Sequence, residues 1–200
     1  MSNAPHSPES ADTFAAAHPL TRRLIKRLEN DPGARILEIG TGGGRNLRAL
    51  NAAGFVVVSL DDARAASPDA IAAAGNEFAA VISTHALLHG NSESLPDTMR
   101  LIALALEPGG LLYATFGSSR DARFGRGERI DEFTFAPTDG NERGVPHVYF
   151  DEPRLRALLE PLFEIEALEE QDVDRIAGSW AHRERPLSNA VHWFTIARSR

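Results

Sequence analysis

The sequence predicts a single parallel α/β domain, doubly wound, and three observations predict it. Short apolar runs of strand length alternate with stretches of helical periodicity. The first such strand ends in a glycine-rich turn that opens a helix, and no linker or repeat divides the 200 residues. A hydrophobic share of 42% over that length supplies a core without disulfides or obligatory partners.

The opening residues 1–11 hold Pro5 and Pro8 among polar residues and read as a flexible tail, leaving residues 12–200 as the domain. Leu20, Leu24, Ile25 and Leu28 fall at helical spacing with Arg22, Arg23, Lys26 and Arg27 between them, and Pro32-Gly33 ends that amphipathic helix. Ala34 to Ile39 reads as a buried strand, Gly40 to Gly44 as a turn, and the residues around Leu47 and Leu50 as the helix that follows. Gly54 closes this helix. Phe55 to Leu60 is then a continuous apolar and β-branched run of the kind covered on both faces. Strand, helix and strand in series imply a right-handed parallel crossover.

The alternation continues with a strand at Phe78 to Ser83, a helix at Ser94 to Leu106, and a strand from Gly110 to Phe116 after the turn Pro108-Gly109-Gly110. Ser118 to His147 is rich in Gly, Arg, Asp and Thr and reads as an insertion over one end of the sheet. A helix at Glu152 to Glu160, a strand near Phe163 to Leu168, a polar connection through Pro186 and a strand at Val191 to Ala197 complete the chain.

Composition excludes several functions. A net charge of -7 opposes binding to a phosphate backbone, which clustered Lys and Arg dominate. The absence of cysteine removes disulfides, thiolate nucleophiles and Cys-type zinc sites and is compatible with the cytoplasm. No uncharged apolar run approaches the roughly 20 residues that span a bilayer, so neither nucleic acid nor membrane is an expected partner.

The chemistry concentrates in Glu38-Ile39-Gly40-Thr41-Gly42-Gly43-Gly44. Glycines after a strand let the backbone turn tightly and approach a ligand before the next helix begins. A dinucleotide fingerprint needs a third glycine where Arg45 stands, and Glu38 does not suit a pyrophosphate, which disfavours a nicotinamide-dependent oxidoreductase. A carboxylate there favours a cationic group such as the amino end of a methionine-like ligand. Asp61, about 20 residues past the loop, is placed to accept from ribose hydroxyls, and Asp62 shares that role or starts a turn.

Residues 36–44 resemble the first motif of class I S-adenosylmethionine-dependent methyltransferases, and Val58-Ser59-Leu60-Asp61 resembles their acidic second-strand end. Residues 78–85 are similar to the family's fourth strand, residues 106–112 to its fifth-strand entry, and residues 192–197 to its antiparallel last strand. The resemblance implies a Rossmann-like fold and S-adenosyl-L-methionine as cofactor. Glu38, Gly40, Thr41, Gly42 and Gly44 then hold its methionyl part, Asp61 and Asp62 its ribose, and Thr84 lies at the end of the fourth strand beside it. It departs from the family between Asp62 and Glu77, an interval too short for a regular third strand, which is missing or vestigial.

For the acceptor, the resemblance implies a small organic molecule. His85 and His89 follow the fourth strand at the carboxyl end of the sheet, as base or acceptor contact or as structural caps. His147 and Tyr149 lie in a segment similar to one that covers the active site of small-molecule methyltransferases. The spacing of His85 and His89 invites a metal, but the glutamate of H-E-x-x-H is absent and no third ligand is evident, so none is expected. Arg120, Arg123, Arg126 and Arg129 either clamp an anion or pair with the acids among them. A homodimer is compatible with all of this. The alternative function is a methyltransferase-like protein that binds without turnover because its cofactor site is weakened.

Overall fold

The computed structural model describes residues 17–60, 68–140, 142–179 and 189–200. Asp61 and Asp62, the tail at residues 1–11 and most of the polar connection before Asn189 lie outside them.

The main sheet is built from β1 (Arg35–Ile39), β2 (Val56–Leu60), β3 (Phe78–Ser83), β4 (Leu106–Ser118), β8 (Phe163–Asp172) and β9 (Val191–Ser199). Its order is β2-β1-β3-β4-β9-β8; the first four strands are parallel, and β9 and β8 each run antiparallel to their inner neighbour. A small antiparallel sheet of β5 (Glu128–Arg129), β6 (Thr134–Ala136) and β7 (His147–Phe150) occupies the predicted insertion. It joins β4 through the parallel pairs Gly117 with Tyr149 and Ser118 with Phe150.

Side chains alternate across the strands, so each central strand feeds two cores. Leu37, Val81, Leu112 and Ala114 face one core with Met99 and Ile102 of α4 (Leu95–Ala105) and Leu155 and Leu159 of α5 (Glu152–Leu159). Ile36, Ile82, Leu111 and Tyr113 face the other, with Leu20 and Leu24 of α1 (Pro19–Arg27) and Leu50 of α2 (Arg45–Ala52). Between β2 and β3 the described residues contain only α3 (Pro68–Ala73), and residues 61–67 lie outside them.

Two expectations are corrected. The apolar run at Phe55 to Leu60 is not covered on both faces: β2 is the outermost parallel strand among the described residues, and Val56 is 52% exposed. Its composition reads as central because Val and Ile suit a pleated surface wherever it lies. The Pro108-Gly109-Gly110 turn falls inside β4 rather than before it. The pairing jumps from Phe78 with Leu106 to Ala80 with Leu111, and the extra residues bulge out with Gly109 at φ +77. No helix among the described residues is long and apolar enough to cross a membrane.

Candidate active site

β1 ends in the glycine loop, at the carboxyl edge of the parallel strands where open α/β sheets bind ligands. Gly40, Gly42 and Gly44 have φ of +81, +51 and +72, left-handed values that most side chains resist. Gly40 is locked twice: its amide donates to the Leu60 carbonyl at 2.7 Å, and an added Cβ would lie 2.4 Å from the Ala86 Cβ. A Gly40→Ala variant is therefore expected to lose about 2–5 kcal/mol from overpacking and strain together, read as a shift in the urea midpoint.

Around Gly42 and Gly43, by contrast, an added Cβ would meet no atom within 4 Å. The loop therefore presents open backbone to a ligand. Gly44 forms the N-cap of α2 with no side-chain capping bond, so the first amides of this helix are not covered by a cap side chain. Glu38 beside the loop is buried at 1% exposure, and the Thr41 hydroxyl is buried with no hydrogen-bond partner among the described residues. A buried carboxylate, a hydroxyl awaiting a partner and space above two glycines fit the amino-acid end of S-adenosylmethionine.

His85 ends up next to residues far away in sequence. It sits just past β3 with φ +69, a strained value for a residue with a side chain. Its amide donates to Thr115 Oγ1 at 2.8 Å, and its Nε2–H donates to the Ser179 carbonyl at 2.5 Å, which leaves Nδ1 as the acceptor nitrogen. The His192 ring lies 5.1 Å from it, centroid to centroid, and the His18 ring 5.6 Å. Thr84 is turned to structure: its hydroxyl accepts from the Asn46 side-chain amide at 2.9 Å, and Asn46 Oδ1 accepts from the His18 amide at 2.9 Å. His18 Nδ1 in turn caps α1 by accepting from the Leu20 amide, so its proton is on Nε2, which is buried without an acceptor among the described residues.

All three rings are held neutral. Burial first, then the neighbouring His85 and Arg45, pushes His18 well below its usual pKa. Burial and His192 do the same to His85. Burial and the Arg123 guanidinium bring His192 down to about 3. Arg123 donates to His192 at 3.2 Å and is paired with Asp121, whose side chain is fully buried. Of the arginines considered as an anion clamp, Arg123 is thus paired within the protein, and Arg120 pairs with Glu170.

His89 and His147 form a second group. They face each other across an antiparallel bridge with rings 4.8 Å apart. The metal spacing read from the sequence paired His89 with His85; the structure sets His89 beside His147 instead, and Glu142 reaches both, 3.6 Å from His89 Nε2 and 3.3 Å from His147 Nε2. Tyr149 is in contact with Phe124 and Phe135, and burial pushes its phenol up, so it keeps its proton at neutral pH. Sequence reasoning missed His18, Asn46, Asp121, Glu142 and His192 as members of these groups. Only His18 carried a local signal, as the residue before a proline that opens a helix.

A parallel sheet with an antiparallel β9–β8 edge and a glycine loop after β1 is the Rossmann-like architecture of S-adenosylmethionine-dependent methyltransferases. The chain belongs to the methyltransferase-domain family, whose sequence profile matches residues 13–168. Solved structures share the fold. A methyltransferase from Methanosarcina mazei superposes with a TM-score of 0.65 at 17% identity, over 88% of this chain and 96% of its own. The 1,6-didemethyltoxoflavin-N1-methyltransferase of Burkholderia thailandensis, with bound 1,6-didemethyltoxoflavin and S-adenosylhomocysteine, gives 0.59 at 17% identity over 99% and 93%. Magnesium protoporphyrin IX methyltransferase from Synechocystis, with S-adenosylmethionine bound, gives 0.56 at 13% identity over 100% and 86%. No curated protein matches the chain significantly by sequence.

Proposed function

We propose that this enzyme transfers the methyl group of S-adenosylmethionine to a small organic acceptor in the cytoplasm, without a nucleic-acid or membrane partner. The open backbone at Gly42 and Gly43 beside the buried Glu38 carries the reading. Glu38, Gly40, Thr41, Gly42 and Gly44 receive the methionyl end, Asp61 and Asp62 the ribose, and Thr84 braces the site through Asn46. When bound, S-adenosylmethionine supplies an electrophilic methyl for in-line displacement, so positioning contributes most of the rate. The acceptor side is assigned to His85, His89, His147 and Tyr149. His85 offers a neutral ring whose Nδ1 can accept a hydrogen bond, held against protonation by burial and His192, and Tyr149 supplies a wall rather than a base.

Calorimetric titration with S-adenosylhomocysteine tests the donor site. Glu38→Gln is expected to weaken binding about 10- to 100-fold through loss of a charge-assisted hydrogen bond, and Gly42→Val to abolish it by filling the open space. Equal affinity in all three proteins would place the donor elsewhere. An acceptor screen that follows S-adenosylhomocysteine release tests the reaction, and tight donor binding with no transfer to any acceptor would favour the non-catalytic alternative.

A further inference from the structure

We infer that His89, His147 and Glu142 form a binding site for one divalent first-row transition metal ion, of the Zn²⁺ type. The inference does not depend on the methyl-transfer reading.

The three groups come from two distant stretches of chain. His89 lies in the turn after β3, where its amide donates to the Ala86 carbonyl, and His147 opens β7. The backbone holds the two in register: the Val148 amide donates to the Leu88 carbonyl at 2.8 Å and the Gly90 amide to the Pro146 carbonyl at 3.0 Å. The backbones that carry the two rings are therefore brought together by the fold before anything binds.

The protonation pattern at His147 is what a metal ligand requires. Its Nδ1–H donates to the Val145 carbonyl at 2.8 Å, which fixes the tautomer and leaves the Nε2 lone pair toward the cluster. His147 is 2% exposed, and its Nε2 is buried with no hydrogen-bond partner among the described residues. Glu142 Oε2 lies 3.3 Å from that nitrogen, outside hydrogen-bonding geometry. A lone pair and a carboxylate oxygen at this distance repel unless a cation stands between them. Either a second proton on the ring or a metal satisfies the arrangement.

The donor set points to the metal. Two imidazole nitrogens and one carboxylate suit Zn²⁺, Fe²⁺, Co²⁺ or Ni²⁺, and three protein ligands leave a coordination position open for water or a substrate atom. The three ligand atoms lie within 4.8 Å of one another. With bonds of about 2.0–2.2 Å the ligand atoms of a tetrahedral ion stand about 3.3–3.6 Å apart, the separation Glu142 already has from both rings. Rotation of the partly exposed His89 and Glu142 side chains closes the set around an ion, and the same exposure gives the ion a way in. The ion would staple the segment before β7 to the turn after β3, beside the carboxyl edge of the sheet.

Chelator-treated protein is titrated with ZnCl₂ by calorimetry and with CoCl₂ by visible absorption, for the wild type and for Glu142→Gln, His89→Asn and His147→Asn. Binding of one equivalent, with a Co²⁺ ligand-field band, weakened at least 10-fold in each variant, is the expected result. Thermal melts without metal establish that the variants are folded. Should His147→Asn unfold, the partly exposed Glu142→Gln still decides. Absence of saturable binding, or binding unchanged in Glu142→Gln and His89→Asn, overturns the proposal and leaves a proton as the cation of the cluster.

Discussion

Replacing Asp121 with alanine is expected to destabilise the enzyme by about 3–5 kcal/mol, because it removes one half of a buried ion pair and leaves the other half in place. Asp121 stands at the start of the insertion after β4, with its side chain fully buried. Its Oδ1 accepts from the Arg123 amide and from Arg123 Nε, both at 2.9 Å. Its Oδ2 accepts from Arg123 Nη2 at 3.1 Å and from the Val191 amide at 2.9 Å. Burial opposes the charge on Arg123, and the hydrogen bond and charge of Asp121 outweigh it, so the guanidinium is held more basic than usual. The carboxylate thus ties the insertion to the first residue of β9 and neutralises a charge next to His192.

A loss of that size is a large part of the 5–15 kcal/mol typical of a folded domain. It would be read from urea denaturation of Asp121→Ala, with Asp121→Ala/Arg123→Met as the comparison. The double variant should recover much of the loss, since a buried pair replaced by apolar groups is often tolerated where a broken pair is not. A cost below about 1 kcal/mol for Asp121→Ala, the range of exposed pairs, would show that Arg123 has no need of this carboxylate.

Acid is expected to unfold the protein earlier than its carboxylates alone would dictate. His18, His85 and His192 are all depressed below their ordinary value of 6.5. Below pH 6.5 the unfolded chain takes up protons on these rings and the folded protein does not. Stability is therefore whole above that pH and falls as pH falls, for His192 down to about 3. Each ring kept neutral contributes a slope of about 1.4 kcal/mol per pH unit, so three approach about 4. The groups that hold them neutral besides burial include Arg22, Arg45, Arg123 and the rings themselves, with Glu142 opposing at His192. Urea midpoints at pH 7, 6 and 5 should drop steeply, and His192→Gln should flatten the slope by about a third. Stability that stays level from pH 7 to 5 would mean that the cluster opens to water.

Much of the fold was legible because it is written in short windows. The run Phe78 to Ser83 is strand β3 residue for residue, and the helix read from Ser94 to Leu106 is α4 at Leu95–Ala105. Period-2 and period-3.6 burial, Pro at helix starts and Gly at turns act within a few residues of chain, so they survive without knowledge of neighbours. The glycine loop belongs to the same category: its φ values are a local property, and the glycines announce them.

The candidate site divided along another line. Glu38 and the loop glycines were named from the sequence because they are consecutive. The companions of His85 were not, because His18, Ser179 and His192 meet it only where α1, the segment after β8 and strand β9 converge on the end of β3. Nothing in the spacing of those residues marks the meeting. The exposure of β2 is likewise a tertiary matter, since Val56 to Leu60 has the composition of a central strand and becomes an edge only because no described strand pairs outside it.

By itself, then, the sequence determined the α/β class, the order of elements and the glycine loop after β1, all set by backbone preference and burial along the chain. Tertiary structure alone decided which distant polar side chains meet: the neutral His18–His85–His192 group and the Asp121–Arg123 pair in the interior, and the partly exposed approach of Glu142 to His89 and His147. The physical reason is that a buried polar group is stable only with partners, and which partners it finds depends on how the layers pack rather than on what precedes or follows it in the chain.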